Sequence, residues 1–269
     1  MTVTDHAAAP AATRRNIETA YFLSPMQQGM LFHSLYAPDS GVYFEQLAAT
    51  LVGDLNVPAF RRAWQQVVDR HPILRSVFAW KRQDKPVQAV YKELPLSIET
   101  LDWRELSADE QARRLDDYLA ADRARGFDLS KAPLLRLALI RTGEREHRFI
   151  WSHHHILMDG WSLPILLKEV FTFYEAYAQG RSVNLPLTRP YRDYIAWLQA
   201  QDRAAAEAYW RKALAGFESP TQITVARSEA HGSQSDPHAS GTAELELRLS
   251  AEETQRVNTL ARSSGVTIS

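Results

Sequence analysis

The 269-residue chain contains no cysteine. That excludes disulfide cross-links, thiolate metal sites and a cysteine nucleophile, and it suits a reducing compartment. An excess of either charge is also missing. Lys and Arg number 31 against 32 Asp and Glu, a formal net of −1, so no overall field draws in a phosphate backbone or an anionic lipid surface. Neither nucleic acid nor membrane is expected as a partner. Residues 1–15 are Ala-rich and polar, without the basic and apolar segments of a signal peptide, and no later run has the roughly 20 apolar residues of a bilayer span. A cytoplasmic location follows as the expectation. Glycine and proline are modest at 11 and 13, with 45% apolar and 23% charged residues, which rules out collagen-like, low-complexity and disordered classes. What remains is a globular chain long enough, at about 150 residues per domain, for one large or two ordinary domains.

Residues 43–53 alternate apolar and polar and end at Gly53-Asp54, the pattern of a half-buried strand closed by a turn. Asn56 then opens a helix over 57–70, with Pro58 in its first turn and Phe60, Trp64, Val67 and Val68 on one face. Strands are expected at 73–80 and 87–92, joined as a hairpin by the charged turn 81–85. A helix over 107–125 starts at Ser107 with Glu110 as a capping box. The strongest strand signals are 134–141 and 147–155, joined across Thr142-Gly143 and rich in Leu, Ile, Phe and Trp. Asp159-Gly160 breaks the second, and 164–179 carries a helical apolar face that Gly180 ends. Helices are expected at 190–201 and 202–216. Residues 218–241, rich in Ser, His, Gly and Pro, form a flexible connection. After it, 242–249 alternates like a strand, and Ser250 with Glu253 caps a helix ending near Gly265. One strand and one helix cannot bury their apolar faces alone, so the chain looks cut short.

Chemistry concentrates in Ser152-His153-His154-His155-Ile156-Leu157-Met158-Asp159-Gly160-Trp161. On a strand, His153 and His155 point one way and His154 the other, and Asp159 can fold back beside the strand end. An imidazole there can face a cleft and move a proton near neutrality, as acyl transfer to an amine or alcohol requires. Two other readings stand beside it. A histidine near a core strand can be a packing residue, and His153, His155 and Asp159 together supply three metal ligands, although no further cluster completes the shell.

His154-His155-Ile156-Leu157-Met158-Asp159-Gly160 resembles the HHxxxDG signature of nonribosomal peptide synthetase condensation domains, members of the chloramphenicol acetyltransferase-like acyltransferase superfamily. Three further blocks occur in that family's order. Leu23-Ser24-Pro25-Met26-Gln27-Gln28-Gly29-Met30-Leu31-Phe32-His33 resembles the first core motif. Arg70-His71-Pro72-Ile73-Leu74-Arg75-Ser76-Val77-Phe78 resembles the second, and Tyr191-Arg192-Asp193-Tyr194-Ile195-Ala196-Trp197 the fourth. The resemblance runs from about Ile17 onward and stops short of the family's later motifs. It implies an α/β fold, α+β layered, with a mixed β-sheet flanked by helices. Residues 1–16 would be a flexible tail or linker, 17–217 the N-terminal condensation lobe with its following helices, 218–241 a flexible connection, and 242–269 the beginning of a truncated C-terminal lobe.

The same resemblance implies amide formation between two carrier-bound thioesters. His155 matches the functional histidine, which acts as a general base or by positioning the amine. Asp159 matches a structural aspartate that pairs with an arginine, best matched here by Arg75. His154 orients the loop, Gly160 permits a tight turn and close substrate approach, and Trp161 packs. Tyr21, Gln27 and Tyr191 are further candidates in supporting roles. No metal or directly bound cofactor is implied. The 4′-phosphopantetheine arms belong to donor and acceptor peptidyl carrier proteins, and the missing C-terminal lobe and a downstream adenylation domain are the remaining partners. Gly29-Met30-Leu31-Phe32-His33 and residues 157–164 are more similar to condensation domains taking a D-configured donor. A noncatalytic half-domain that docks carrier proteins and an epimerisation domain are the alternatives.

Overall fold

The fold comes from a computed structural model, which describes residues 16–81, 85–219 and 247–268. The chain divides into two units, residues 1–217 and 218–269. In the first, β1 (Ile17–Phe22) leads into α1 (Pro25–Tyr36), followed by β2 (Phe44–Val52) and α2 (Val57–Arg70). Next come β3 (Ser76–Ala79), β4 (Val87–Tyr91), β5 (Ile98–Asp102) and α3 (Ala108–Arg125). The unit closes with β6 (Leu135–Gly143), β7 (Glu146–His154), α4 (Ser162–Ala178), α5 (Tyr191–Gln199) and α6 (Arg203–Ala213). The second unit contributes α7 (Ala251–Ser263), started by a reciprocal cap between Ser250 and Glu253.

Two sheets result. One has the order β1-β4-β3 and the other β2-β7-β6-β5, in which β5 and β6 are parallel and the other pairs antiparallel. A parallel neighbour needs a crossover, and α3 provides it. The four-stranded mixed sheet is covered on both faces. Phe149 and Trp151 of β7 meet Phe60 and Trp64 of α2, whose stripe from Ala59 to Val68 is buried. On the other face, Ile150 and Ile140 join Leu115, Tyr118 and Leu119 of α3. The layered α/β expectation is met, with flanking helices on a mixed sheet.

Several element boundaries differ from the sequence reading. Residues Pro72–Arg75 form a 3₁₀ turn, so the first strand of the expected hairpin begins only at Ser76. Arg75 explains this. Its guanidinium donates to the carbonyls of Val68, Asp69, Tyr91 and Lys92, winding residues 72–75 back onto the end of α2. The β6–β7 turn is Glu144-Arg145, two residues later than Thr142-Gly143, because both those residues still belong to β6. Ser107 caps α3 through the Glu110 N–H, but the Glu110 carboxylate turns to Arg113 and Arg114, so the box is half made. Residues 247–249 are not strand, and 242–246 lie outside the described residues, as do 1–15, 82–84 and 220–241. Unforeseen elements are β1, α1 and β5.

Candidate active site

The register of β2 against β7 builds the site. Phe44 lies opposite His154 and Glu45 opposite His153, so β2 begins where the histidine run ends. Alternation then separates the three rings by depth. His153 continues the core face below Trp151, with ring centroids 5.2 Å apart, and burial pushes its pKa down to about 4. His154 is on the other face and is also pushed down to about 4 by burial. Its Nδ1 accepts the Ile156 N–H at 3.1 Å, and its Nε2 lies 3.2 Å from the Ser34 hydroxyl of α1. His155 stands one residue past the strand. Its N–H donates to the Tyr43 carbonyl at 2.8 Å, while its side chain stays 30% exposed.

Only the third ring opens onto a cleft. A cavity of about 610 Å³ is lined by His155, Met158 and Asp159 from the motif loop, Gln27 and Met30 from α1, and Tyr191 from α5, with further residues of α4 and of the segment before α5. Gln27 connects these parts. Its Oε1 accepts the Ser24 N–H, and its Nε2 donates to the Ile156 carbonyl and to Gln88 Oε1, so one buried side chain ties the start of α1 to the histidine loop. Tyr191 donates to Ser24 Oγ at 3.4 Å, and burial raises its phenol pKa.

Three expected roles change. Asp159 does not pair with Arg75. Its Oδ1 accepts the Ser162 N–H at 3.0 Å and the Ser162 hydroxyl at 2.7 Å, which lowers the carboxyl pKa and closes the turn into α4. Arg75 is buried at the end of the turn before β3, bonded to four carbonyls and to Glu18 at 3.1 Å. Distance along the chain hid this, since Arg75 is held from the end of α2, from residues 91 and 92 at the end of β4, and from Glu18 in β1. Gly160 is the second correction. Its φ lies outside the left-handed region and a Cβ there would meet nothing within 4 Å, so neither the turn nor crowding within this chain calls for glycine. Trp161 is 86% exposed rather than packed. Tyr21, in β1, is not itself among the residues lining the cleft; its phenol is pushed up to about 12 by burial, with Tyr191 adding to the effect. The metal reading needs His153, His155 and Asp159 together. They are not assembled, because His153 is in the core and Asp159 is engaged by Ser162. Among the described residues no group of three or more His, Asp or Glu is arranged to hold an ion.

The family model for the condensation domain matches residues 17–269. This chain belongs to the condensation-domain family of nonribosomal peptide synthetases. A linear gramicidin synthase polypeptide of Brevibacillus parabrevis is 44% identical over 251 residues, covering 92% of this chain and 3% of that protein. Surfactin synthase subunit 3 of Bacillus subtilis (strain 168) is 35% identical over 257 residues, 96% of this chain and 20% of that protein. A crystal structure of the starter condensation domain of the rhizomide synthetase matches at TM-score 0.66 and 26% identity, over 77% of this chain and 52% of that one. The chain thus spans a small part of the curated relatives and about half of a solved condensation domain. Such domains are acyltransferases within synthetases whose carrier proteins bear phosphopantetheine arms.

Two residues of this condensation domain's site escaped the sequence reading. Tyr43 lies over His155 with its ring plane 14° away, centroids 6.3 Å apart, and is a non-glycine residue at φ +67°. Glu45 places Oε1 3.5 Å from His155 Nδ1. Neither carries a motif. Only strand pairing across more than a hundred residues brings them to the histidines.

Proposed function

We propose that this chain supplies the catalytic histidine of peptide-bond formation between two carrier-borne thioesters, with a D-configured donor. The carrying observation is the sorting of three neighbouring imidazoles: two are buried and His155 alone lines the cleft. In this reading the acceptor's α-amine attacks the donor's thioester carbonyl. The C–N bond forms as the carbonyl electron pair moves to oxygen, and the amine proton passes to His155. The tetrahedral intermediate then expels the phosphopantetheine thiolate, which takes that proton. An α-amine has a pKa of about 7.7 to 8.0, so roughly a tenth or more of it is already the free, nucleophilic base at pH 7, and placement contributes beside proton transfer. Asp159, Gln27 and Tyr191 keep the loop and cleft in place. Donor and acceptor carrier proteins bring the phosphopantetheine arms, and the remaining lobe and an adenylation domain complete the machinery. Preference for a D donor is supported by the Met30-Leu31-Phe32-His33 run and by residues 157–164.

The test combines the chain with a separately produced remainder of the domain and two loaded carrier proteins, reading product by mass spectrometry. Dipeptidyl product should form faster from the D than the L donor. His155→Ala should slow it about 100-fold, the size of a general acid–base contribution. Carrier binding without product would support the docking half-domain instead. Exchange of the donor α-proton without amide formation would support epimerisation.

A further inference from the structure

We infer that Glu45 is a positioning residue for His155, receiving the Nδ1–H of the imidazole so that Nε2 is left as the acceptor on the cleft side. The inference builds on the reading of His155 given above and adds a residue that does not itself line the cleft. A neutral imidazole has one donor nitrogen and one acceptor, and the group facing one nitrogen decides which is which. A carboxylate only accepts, so the nitrogen beside it keeps the proton.

Glu45 is placed for that task by backbone pairing. It lies opposite His153 in the β2–β7 ladder, and the His155 N–H bond to the Tyr43 carbonyl, at 2.8 Å, carries the pairing one step past the strand. The Glu45 Oε1 therefore comes within 3.5 Å of His155 Nδ1. Tyr43 lies near-parallel to the ring on one side, restricting its rotation. Holding a non-glycine residue in the left-handed region costs about 1 to 2 kcal/mol, which the surrounding bonds must offset. The neighbouring polar groups are engaged elsewhere: Asp159 by Ser162, and His154 by Ile156 and Ser34.

The tautomer of His155 in this chain can be read by long-range ¹H–¹⁵N NMR, with the resonance assigned by its loss in His155→Gln. The wild type should hold the proton on Nδ1. Glu45→Gln, which retains an acceptor oxygen, should keep that state and stay within threefold in kcat. Glu45→Leu should move the proton toward Nε2 and lower kcat about tenfold, with KM within twofold. Because Glu45 is half exposed on an edge strand, both side chains are tolerable there. Glu45→Thr, strand-forming and too short to reach the ring, should repeat the Leu result. An unchanged tautomer in folded Glu45→Leu and Glu45→Thr would overturn the assignment. So would a Gln variant as impaired as Leu. The NMR readout needs no turnover, so a wild type inactive in peptide formation would count against the proposed reaction and not against the Glu45 contact.

Discussion

Three imidazoles in a row differ in chemistry here because they differ in depth. His153 and His154 are held neutral, burial having pushed both from an ordinary value of 6.5 down to about 4. Between those values the unfolded chain binds protons that the folded chain refuses, so stability rises with pH across this window. It is complete above about 6.5 and is lost as the pH falls toward 4. Urea unfolding midpoints should therefore drop progressively from pH 7 to pH 4. His154→Gln should flatten that dependence at some expense of stability at pH 7, because the Ile156 N–H loses its acceptor. A midpoint slope identical to wild type would show that His154 titrates normally. Arg75 makes the companion point. The family resemblance joined it to Asp159 by role, yet its guanidinium is engaged by four backbone carbonyls and by Glu18.

At the scale of elements, the charged group holding α3 to the sheet is Asp122. It accepts from Arg136 at 2.7 Å, Arg125 at 2.8 Å, Ser152 at 2.5 Å and Gln46 at 3.1 Å, joining α3 to β6, β7 and β2. Burial pushes this carboxyl pKa up, but the Ser152 hydroxyl and Arg136 more than offset it and leave it lowered. Asp122→Ala strands the Arg136 guanidinium and should destabilise the fold by about 3 to 5 kcal/mol in urea titrations. A loss under about 1 kcal/mol would mean that water reaches the pair freely. Nothing in the sequence reading pointed to this network, since its members are up to 106 residues apart. By contrast α2 was readable to its ends, because Asn56, Pro58 and a regular apolar stripe all carry local information. Helix α1 was not, since Met26, Phe32, Leu35 and Tyr36 are apolar yet exposed and blur its buried side. Strand β5 is five residues long and its parallel partner lies beyond a whole helix.

For the whole molecule, every buried apolar residue among those described lies between Leu23 and Ile195. Among the described residues the buried core thus lies within the first unit. A chain ending at Phe217 should unfold cooperatively with a thermal midpoint within about 2 °C of the full chain, less than the shift that about 1 kcal/mol gives in a domain of this size. A loss of cooperativity on calorimetry would show that residues 218–269 contribute to the core. Among the described residues no helix is long and apolar enough to cross a membrane.

The sequence by itself determined the family, the order of most elements and the place of the histidine motif, because composition, short periodicities and four ordered blocks are all local information. It singled out His155 only through the family resemblance, and it could not decide what Asp159 and Arg75 bind, or that Glu45 and Tyr43 stand beside His155. The surroundings of His155 follow from where β7 stops and how β2 is registered against it, and the partners of Arg75 from the packing of α2, β4 and β1 around it. Such pairings are chosen by the energy of the assembled sheet and core rather than by any residue's own preference, so only the tertiary structure fixes them.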